Sequence, residues 1–150
     1  MSRISLIVIV AFAIAVCLFF KDVIIGDHIL LTCNPDRWDP WRAYASGEDL
    51  ARRTYRTDSA RTYLPRLVEI NRALGQGRLA FWNPYIFMGY PIFADPQARI
   101  LYPVSLLLGL VDPKDALSLD VAIHFLIALV GMYLFLGSVG ASTTLSLIHI

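Results

Sequence analysis

An uninterrupted apolar run near the start of the chain limits the folds open to it. The run reads ISLIVIVAFAIAVCLFF at 4–20 and contains no charge. A helix rises about 1.5 Å per residue, so about 17–25 such residues can cross the hydrocarbon core of a bilayer. We therefore predict a transmembrane helix at 4–20. The alternative is a cleaved secretory signal in which Arg3 supplies the positive charge that precedes the apolar run. Phe19, Phe20 and Lys21, however, stand where a small-residue cleavage site would have to be.

A second apolar run, at 116–136, predicts another transmembrane helix. Asp112 and Pro113 precede it as residues typical of a helix start, and a glycine follows it as a typical stop. Asp120 and His124 are four residues apart on this helix and therefore share a face. They could mark a path for protons or a ligand, or form a polar pair satisfied by interfacial water and a neighbouring helix.

The segment 21–115 lies between the two runs and carries most of the charged residues. Long loops cross a membrane largely regardless of their charge, so the short N-terminus with Arg3 is expected to set the orientation. This predicts a cytoplasmic N-terminus and an extracytoplasmic 21–115. The apolar stretch 100–111 is too short to cross the membrane and contains Pro103 and Gly109, which favours a re-entrant or interfacial segment.

These patterns predict an α-helical integral membrane protein in which two transmembrane helices flank a large extracytoplasmic loop with amphipathic and re-entrant helices. Hydrophobic residues make up 57% of the chain, and the lipid bilayer is the expected partner. A net charge of +1 gives no reason to expect nucleic acid. Cys17 and Cys33 have no second Cys or His at metal-ligand spacing, so the sequence indicates no metal site, and it identifies no cofactor.

An amphipathic helix along the membrane surface is predicted at 59–74. Apolar residues recur at helical spacing from Leu64 to Leu74. Pro65 can begin or kink this helix, and Gly75 occupies the position of a C-terminal cap.

The stretch 52–78 contains seven arginines and two acids, a local net charge of +5. Guanidinium groups match phosphate oxygens, so the stretch could bind a lipid phosphate or pyrophosphate, or it could lie on anionic head groups. Asp58 lies within it, where neighbouring positive charge favours the ionised carboxylate. An ionised Asp58 could act as a general base, although an Asp at a helix start is also a common cap.

Prolines and glycines from Gly75 to Pro103 predict a series of tight turns with aromatic residues between them. The rings could anchor the segment at the membrane interface, stack against a sugar or cover an isoprenoid chain. The aromatic residues are Phe81, Trp82, Tyr85, Phe87, Tyr90, Phe93 and Tyr102.

A set of short motifs lies between positions 58 and 133. It consists of Asp58, Tyr63-Leu64-Pro65, Gly77 to Tyr85, Gly89-Tyr90-Pro91, Ala94, Gln97, Leu101-Tyr102-Pro103 and Gly131-Met132-Tyr133. This set resembles the bacterial YfhO-type membrane proteins. Their pattern is an Asp, then Y-x-P, G-x-x-P-x-W-N-P-Y, G-x-P, A-x-x-Q and Y-P, followed by a helix with a G-M-Y-like element.

The resemblance implies a multi-pass protein of the bacterial cytoplasmic (inner) membrane, similar to the GT-C glycosyltransferases. Such enzymes take a sugar from a polyprenyl-phosphate donor on the outer face of the membrane, here for an envelope glycan or lipid acceptor. By this analogy Asp58 is the catalytic base, with Asp27 and Asp95 as alternatives, and Arg61 or Arg66 stabilises the phosphate leaving group. The substrate-binding set that the resemblance implies is Arg61, Tyr63, Arg66, Trp82, Asn83, Gln97 and Tyr102.

The family that the chain resembles has more transmembrane helices than the two predicted here. We therefore expect the chain to be the N-terminal fragment of a longer protein, inactive by itself, with 137–150 as a truncated tail. Its last residues, LSLIHI at 145–150, could be translated from a transposase-based sequencing adaptor. The rival hypothesis is a non-catalytic membrane protein whose outer loop binds a partner or anionic lipid.

Overall fold

The chain is mostly helical wherever the structure describes it. A computed structural model describes residues 3–26, 28–31, 43, 58–142 and 144–145. Within these ranges there is no strand, and extended backbone pairs at an antiparallel bridge between Asn83 and Tyr90. The helical class predicted from the sequence is therefore confirmed for the described residues.

Contacts divide the chain into two units. Unit 1 comprises Met1–His28 and Ser118–Ile150, and unit 2 comprises Ile29–Leu117. Each unit has its own apolar clusters.

Unit 1 contains the first apolar run, which forms α1 at Arg3–Phe19, followed by the short α2 at Lys21–Ile24. Its buried stripe repeats every four residues, the spacing of one helix face. The stripe packs against the helix of the second apolar run, α5 at Pro113–Ser138. The buried residues of the stripe are Val8, Phe12, Val16 and Phe20.

The two apolar helices of unit 1 are antiparallel. Phe12, in the first half of α1, meets Tyr133 near the end of α5, with ring centroids 6.2 Å apart. Phe20, just past the end of α1, meets Phe125 in the middle of α5 at 5.4 Å. Both ring pairs are edge-to-face, a favourable aromatic arrangement.

The helix α5 starts at Pro113, where the sequence predicts a helix start. Asp112 caps it, because its Oδ1 accepts a hydrogen bond from the Lys114 backbone N–H at 3.0 Å. Several large apolar side chains of α5 remain more than half exposed, among them Phe125, Leu134 and Phe135. By length and composition, α5 is the one helix in the described part of the chain that could cross a membrane. The apolar part of α1, Leu6–Phe19, is shorter.

Unit 2 contains a wide π-helical turn at Ser59–Tyr63 that continues into α3 at Leu64–Gly75. Pro65 has no N–H to donate to the preceding turn, which is consistent with a change of helical type at this point. Gly75 is the last residue of α3 and does not have the left-handed conformation of a glycine cap. That conformation occurs at Gly77, with φ +70°. The predicted cap position was therefore two residues early.

The core of unit 2 lies between α3 and the turns that follow it. Two 3₁₀ turns, Ile92–Ala94 and Pro96–Ala98, pack their apolar side chains onto α3. The stretch 100–111 contains one short helix, α4 at Pro103–Leu108. The buried cluster consists of Ile70, Ala73, Ala80, Ile92, Ala98 and Ile100.

Asn71 joins α3 to the end of α4. Its side-chain Nδ2 donates to the backbone carbonyls of Gly109 at 3.0 Å and Val111 at 2.9 Å. Gly109 is closely packed, because a Cβ there would lie 2.5 Å from a methyl group of Leu74.

Candidate functional site

Asp95 is the centre of a cluster of four polar residues in unit 2. Arg66, on α3, forms an ion pair with Asp95 Oδ2, and the Tyr90 hydroxyl donates a hydrogen bond to the same oxygen. The Gln97 backbone N–H donates to the other oxygen, Oδ1, at 2.8 Å. Arg66 Nη1 also donates to Gln97 Oε1 at 3.1 Å. We call Arg66, Tyr90, Asp95 and Gln97 the Asp95 cluster.

The Asp95 cluster changes the acidity of two of its members. Burial by itself would raise the pKa of Asp95, but the hydrogen bonds from Tyr90 and Gln97 and the charge of Arg66 outweigh it and hold that pKa below 3.8. Burial raises the pKa of Tyr90 above 10.0, and the hydrogen bond to Asp95 adds to the increase. At neutral pH the cluster therefore holds an ionised carboxylate and a neutral phenol.

The local sequence explains the position of Asp95. It is the extended residue between the two 3₁₀ turns, with Pro96 at the start of the second turn and its own side chain capping that turn. Tyr90 is held by two backbone hydrogen bonds to Asn83, of 2.8 and 2.9 Å. These turns bring the carboxylate and the phenol to the same place beside α3.

A second group of charges lies one turn further along α3, around Glu69, which is only 3% exposed. Arg72 Nη1 lies 3.3 Å from Glu69 Oε2, and Arg78 Nη2 lies 3.8 Å from Oε1. The Arg72 guanidinium also lies over the ring of Tyr85, 4.5 Å from its centroid. Arg66, Arg72 and Arg78, which belong to the predicted anion patch, are thus each paired with a carboxylate inside unit 2.

The predicted base Asp58 lies at the start of the π-helical turn and is exposed. Its side chain makes no capping hydrogen bond, so the structure does not give it the alternative role of a cap. Arg61 and Tyr63 follow it within the same turn and are also exposed. Asp27, the second candidate base, and the arginines at 52–56 lie outside the described residues.

Trp82, Asn83 and Tyr102, predicted to bind substrate, occupy three different environments. Trp82 is about half exposed and lies against the backbone of Gly89. Asn83 is buried, and its Oδ1 accepts a hydrogen bond from the Tyr85 backbone N–H at 2.9 Å, which closes a tight turn. Tyr102 is partly exposed, with the Arg99 guanidinium 5.7 Å from its ring centroid.

Asp120 and His124 on α5 interact locally. His124 Nδ1 lies 2.6 Å from the Asp120 backbone carbonyl and 3.4 Å from the Asp120 carboxylate. This contact within one helical turn agrees with an ordinary polar pair and does not require a proton or ligand path.

Of the residues predicted to form a site, the structure brings together Arg66, Asp95 and Gln97. Sequence reasoning missed Tyr90 as their partner, although Tyr90 stands within the Gly89-Tyr90-Pro91 motif. It also missed Glu69, whose signal was a single acid followed three residues later by an arginine on the same helix.

Within the described ranges, no three His, Cys, Asp or Glu side chains are grouped closely enough to hold a metal ion. Comparison of the chain with protein-family models, curated proteins and solved structures found no match.

Proposed function

We propose that this chain is part of a polytopic GT-C-type glycosyltransferase of the bacterial inner membrane. It transfers a sugar from a polyprenyl-phosphate-linked donor, on the outer face, to an envelope glycan or lipid. In this proposal α1 and α5 both span the membrane and 21–115 is extracytoplasmic. The motif resemblance supports the family, and the antiparallel pairing of two helices with exposed apolar side chains supports the membrane location.

The different environments of Asp58 and Asp95 carry the choice of catalytic base. Both oxygens of Asp95 accept hydrogen bonds, and its lowered pKa makes it a weak base. Asp58 is exposed and has no capping hydrogen bond, so its carboxylate can reach an acceptor hydroxyl. We therefore assign the base to Asp58 and a structural role to Asp95.

In the proposed reaction, Asp58 takes the proton of the acceptor hydroxyl as its oxygen bonds to the anomeric carbon. The bond between that carbon and the lipid phosphate breaks, and the phosphate leaves with the electron pair. Arg61, three residues from Asp58, is the cation that we expect near the departing phosphate. Arg66 forms an ion pair with Asp95 and has a structural role in the Asp95 cluster.

The test is sugar transfer from a labelled polyprenyl-phosphate donor by membranes that contain the full-length protein. Asp58→Asn should abolish transfer without changing membrane insertion. Asp115→Asn is the matched control, because Asp115 is also exposed and also lies in the first turn of a helix of this chain. Normal transfer by the Asp58 variant would refute the assignment of the base, and no transfer by the unmodified protein would refute glycosyl transfer.

The second candidate is a non-catalytic membrane protein whose outer loop binds a partner or anionic lipid. The ion pair between Arg66 and Asp95 favours it, since Arg66 then has less free charge to offer a phosphate leaving group. Absence of transfer together with normal membrane insertion would support this candidate.

A further inference from the structure

The turn between Asn83 and Tyr90 presents two apolar side chains to the outside. Phe87 and Met88 both have left-handed backbones, with φ +52° and +59°, and Gly89 follows with φ +118°. Such a conformation is strained for a residue other than glycine. Phe87 is 88% exposed and Met88 is fully exposed. The strain and the exposure coincide at the same two residues.

Hydrogen bonds hold this turn in place. Asn83 and Tyr90 exchange two backbone bonds across its base, and the Gly89 N–H donates to the Ile86 carbonyl at 2.9 Å. The turn therefore has a defined base, and its tip consists of residues 85–88, which we call the 85–88 loop. Tyr85, at the start of the loop, is also two-thirds exposed.

A positive charge stands beside the loop. The guanidinium of Arg72 lies over the ring of Tyr85, 4.5 Å from its centroid, and Arg72 Nη1 lies 3.3 Å from Oε2 of the buried Glu69. This places a partly exposed cation against Tyr85, in the loop that also carries the exposed Phe87 and Met88. Aromatic and apolar residues with an adjacent arginine are the combination that suits the boundary between acyl chains and phosphate head groups.

We propose that the 85–88 loop inserts into the outer surface of the lipid bilayer, with Phe87 and Met88 among the upper acyl chains and Arg72 at a lipid phosphate. A bilayer fits this surface better than a protein partner does, because Phe87 and Met88 are almost wholly exposed and lipid needs no complementary pocket. Unit 2 also continues directly into α5, the apolar helix that could cross a membrane. The inference rests on the membrane location in the proposed function, but not on sugar transfer.

The experiment uses the full chain in liposomes that contain phosphatidylglycerol, with Cys17 and Cys33 replaced by serine. A single cysteine is introduced by Met88→Cys and labelled with a small fluorophore, and quenching by nitroxide-bearing lipids is measured. Gln76→Cys is the matched control, since Gln76 is an exposed turn residue of the same unit. Ile127→Cys reports the membrane location of α5, where Ile127 is about half exposed.

We expect strong quenching at position 88 and none at position 76. Adding Phe87→Ser or Arg72→Gln to the labelled protein should each reduce quenching at position 88. Equal, low quenching at positions 88 and 76 would overturn the inference, and quenching at 127 in the same liposomes would then leave the membrane location intact. Unchanged quenching in the Arg72→Gln protein would overturn the contact with lipid phosphate.

Discussion

Trp82 lies so close to the backbone of Gly89 that a Cβ atom added there would fall 2.4 Å from Cζ2 of the indole. Gly89 also has φ +118°, a conformation that L side chains rarely adopt. Together with the Asn83–Tyr90 bridge, this contact joins the W-N-P-Y motif to the G-Y-P motif. The spacing of the two motifs therefore has a structural reason: each supplies one side of the same turn.

Replacing Gly89 by alanine should destabilise unit 2. The methyl group must displace Trp82 and the backbone is strained, so we expect a loss of about 1–3 kcal/mol in the free energy of unfolding. Denaturant unfolding in detergent, followed by tryptophan fluorescence, measures it. The control is Gly75→Ala, where an added Cβ meets no atom within 4 Å and where alanine favours the helix by up to about 1 kcal/mol. Equal stability of the two variants would contradict the close contact.

Local patterns in the sequence predict where the helices of this chain lie. They predict the contacts between distant residues less well. Helical spacing and capping residues are properties of neighbouring positions, and the helices at Ser59–Gly75 and Pro113–Ser138 lie where 59–74 and 116–136 predict them. Whether the apolar helices span a membrane depends on their surroundings, so that part stays a prediction.

The Asp95 cluster could not be derived from such patterns. Its ion pair joins α3 to a turn that comes well after it in the chain, and the path between them depends on left-handed residues such as Gly77 and Gly89. The arginines illustrate the difficulty. Their local charge predicted an anion site, but the distant Asp95 and the buried Glu69 neutralise part of it.

The stability of unit 2 should decrease in acid through Asp95. The pKa of Asp95 in the folded protein lies below its ordinary value of 3.8, so the folded state favours the ionised carboxylate. The resulting stabilisation is fully present above pH 3.8 and is lost as the pH falls through the folded-state pKa. Unfolding measured between neutral and acidic pH should show this decrease.

Asp95→Asn should remove this acid-dependent component and cost about 1–3 kcal/mol at neutral pH. A double-mutant cycle with Arg66→Gln should give a coupling energy of about 0.5–3 kcal/mol, because the two side chains are in direct contact. Strictly additive effects of the two substitutions would contradict a stabilising ion pair.

Tyr90→Phe tests the contribution of the Tyr90 hydroxyl group to the Asp95 cluster. The ring and its packing remain, whereas the hydrogen bond to Asp95 is lost, so the pKa of Asp95 should rise and the acid-dependent loss of stability should begin at a higher pH. The pKa of Tyr90 lies above 10.0, so its stabilisation is present below pH 10.0 and is lost as the pH rises through the folded-state pKa. That alkaline component should be absent in the variant. Tyr85→Phe is a control, because Tyr85 is an exposed tyrosine outside the cluster.

Asn71→Asp should weaken the attachment of α4 to α3. Asparagine donates to the Gly109 and Val111 carbonyls, whereas an ionised aspartate of the same shape would place a negative charge against both oxygens. We expect a loss of about 1–3 kcal/mol at neutral pH. The loss should become smaller as the pH falls and the new carboxyl group binds a proton, since the protonated group can donate one hydrogen bond again. Parallel unfolding measurements on the unmodified protein and the variant, from neutral to acidic pH, test this convergence, and a difference that does not change with pH would show that the amide is not the donor.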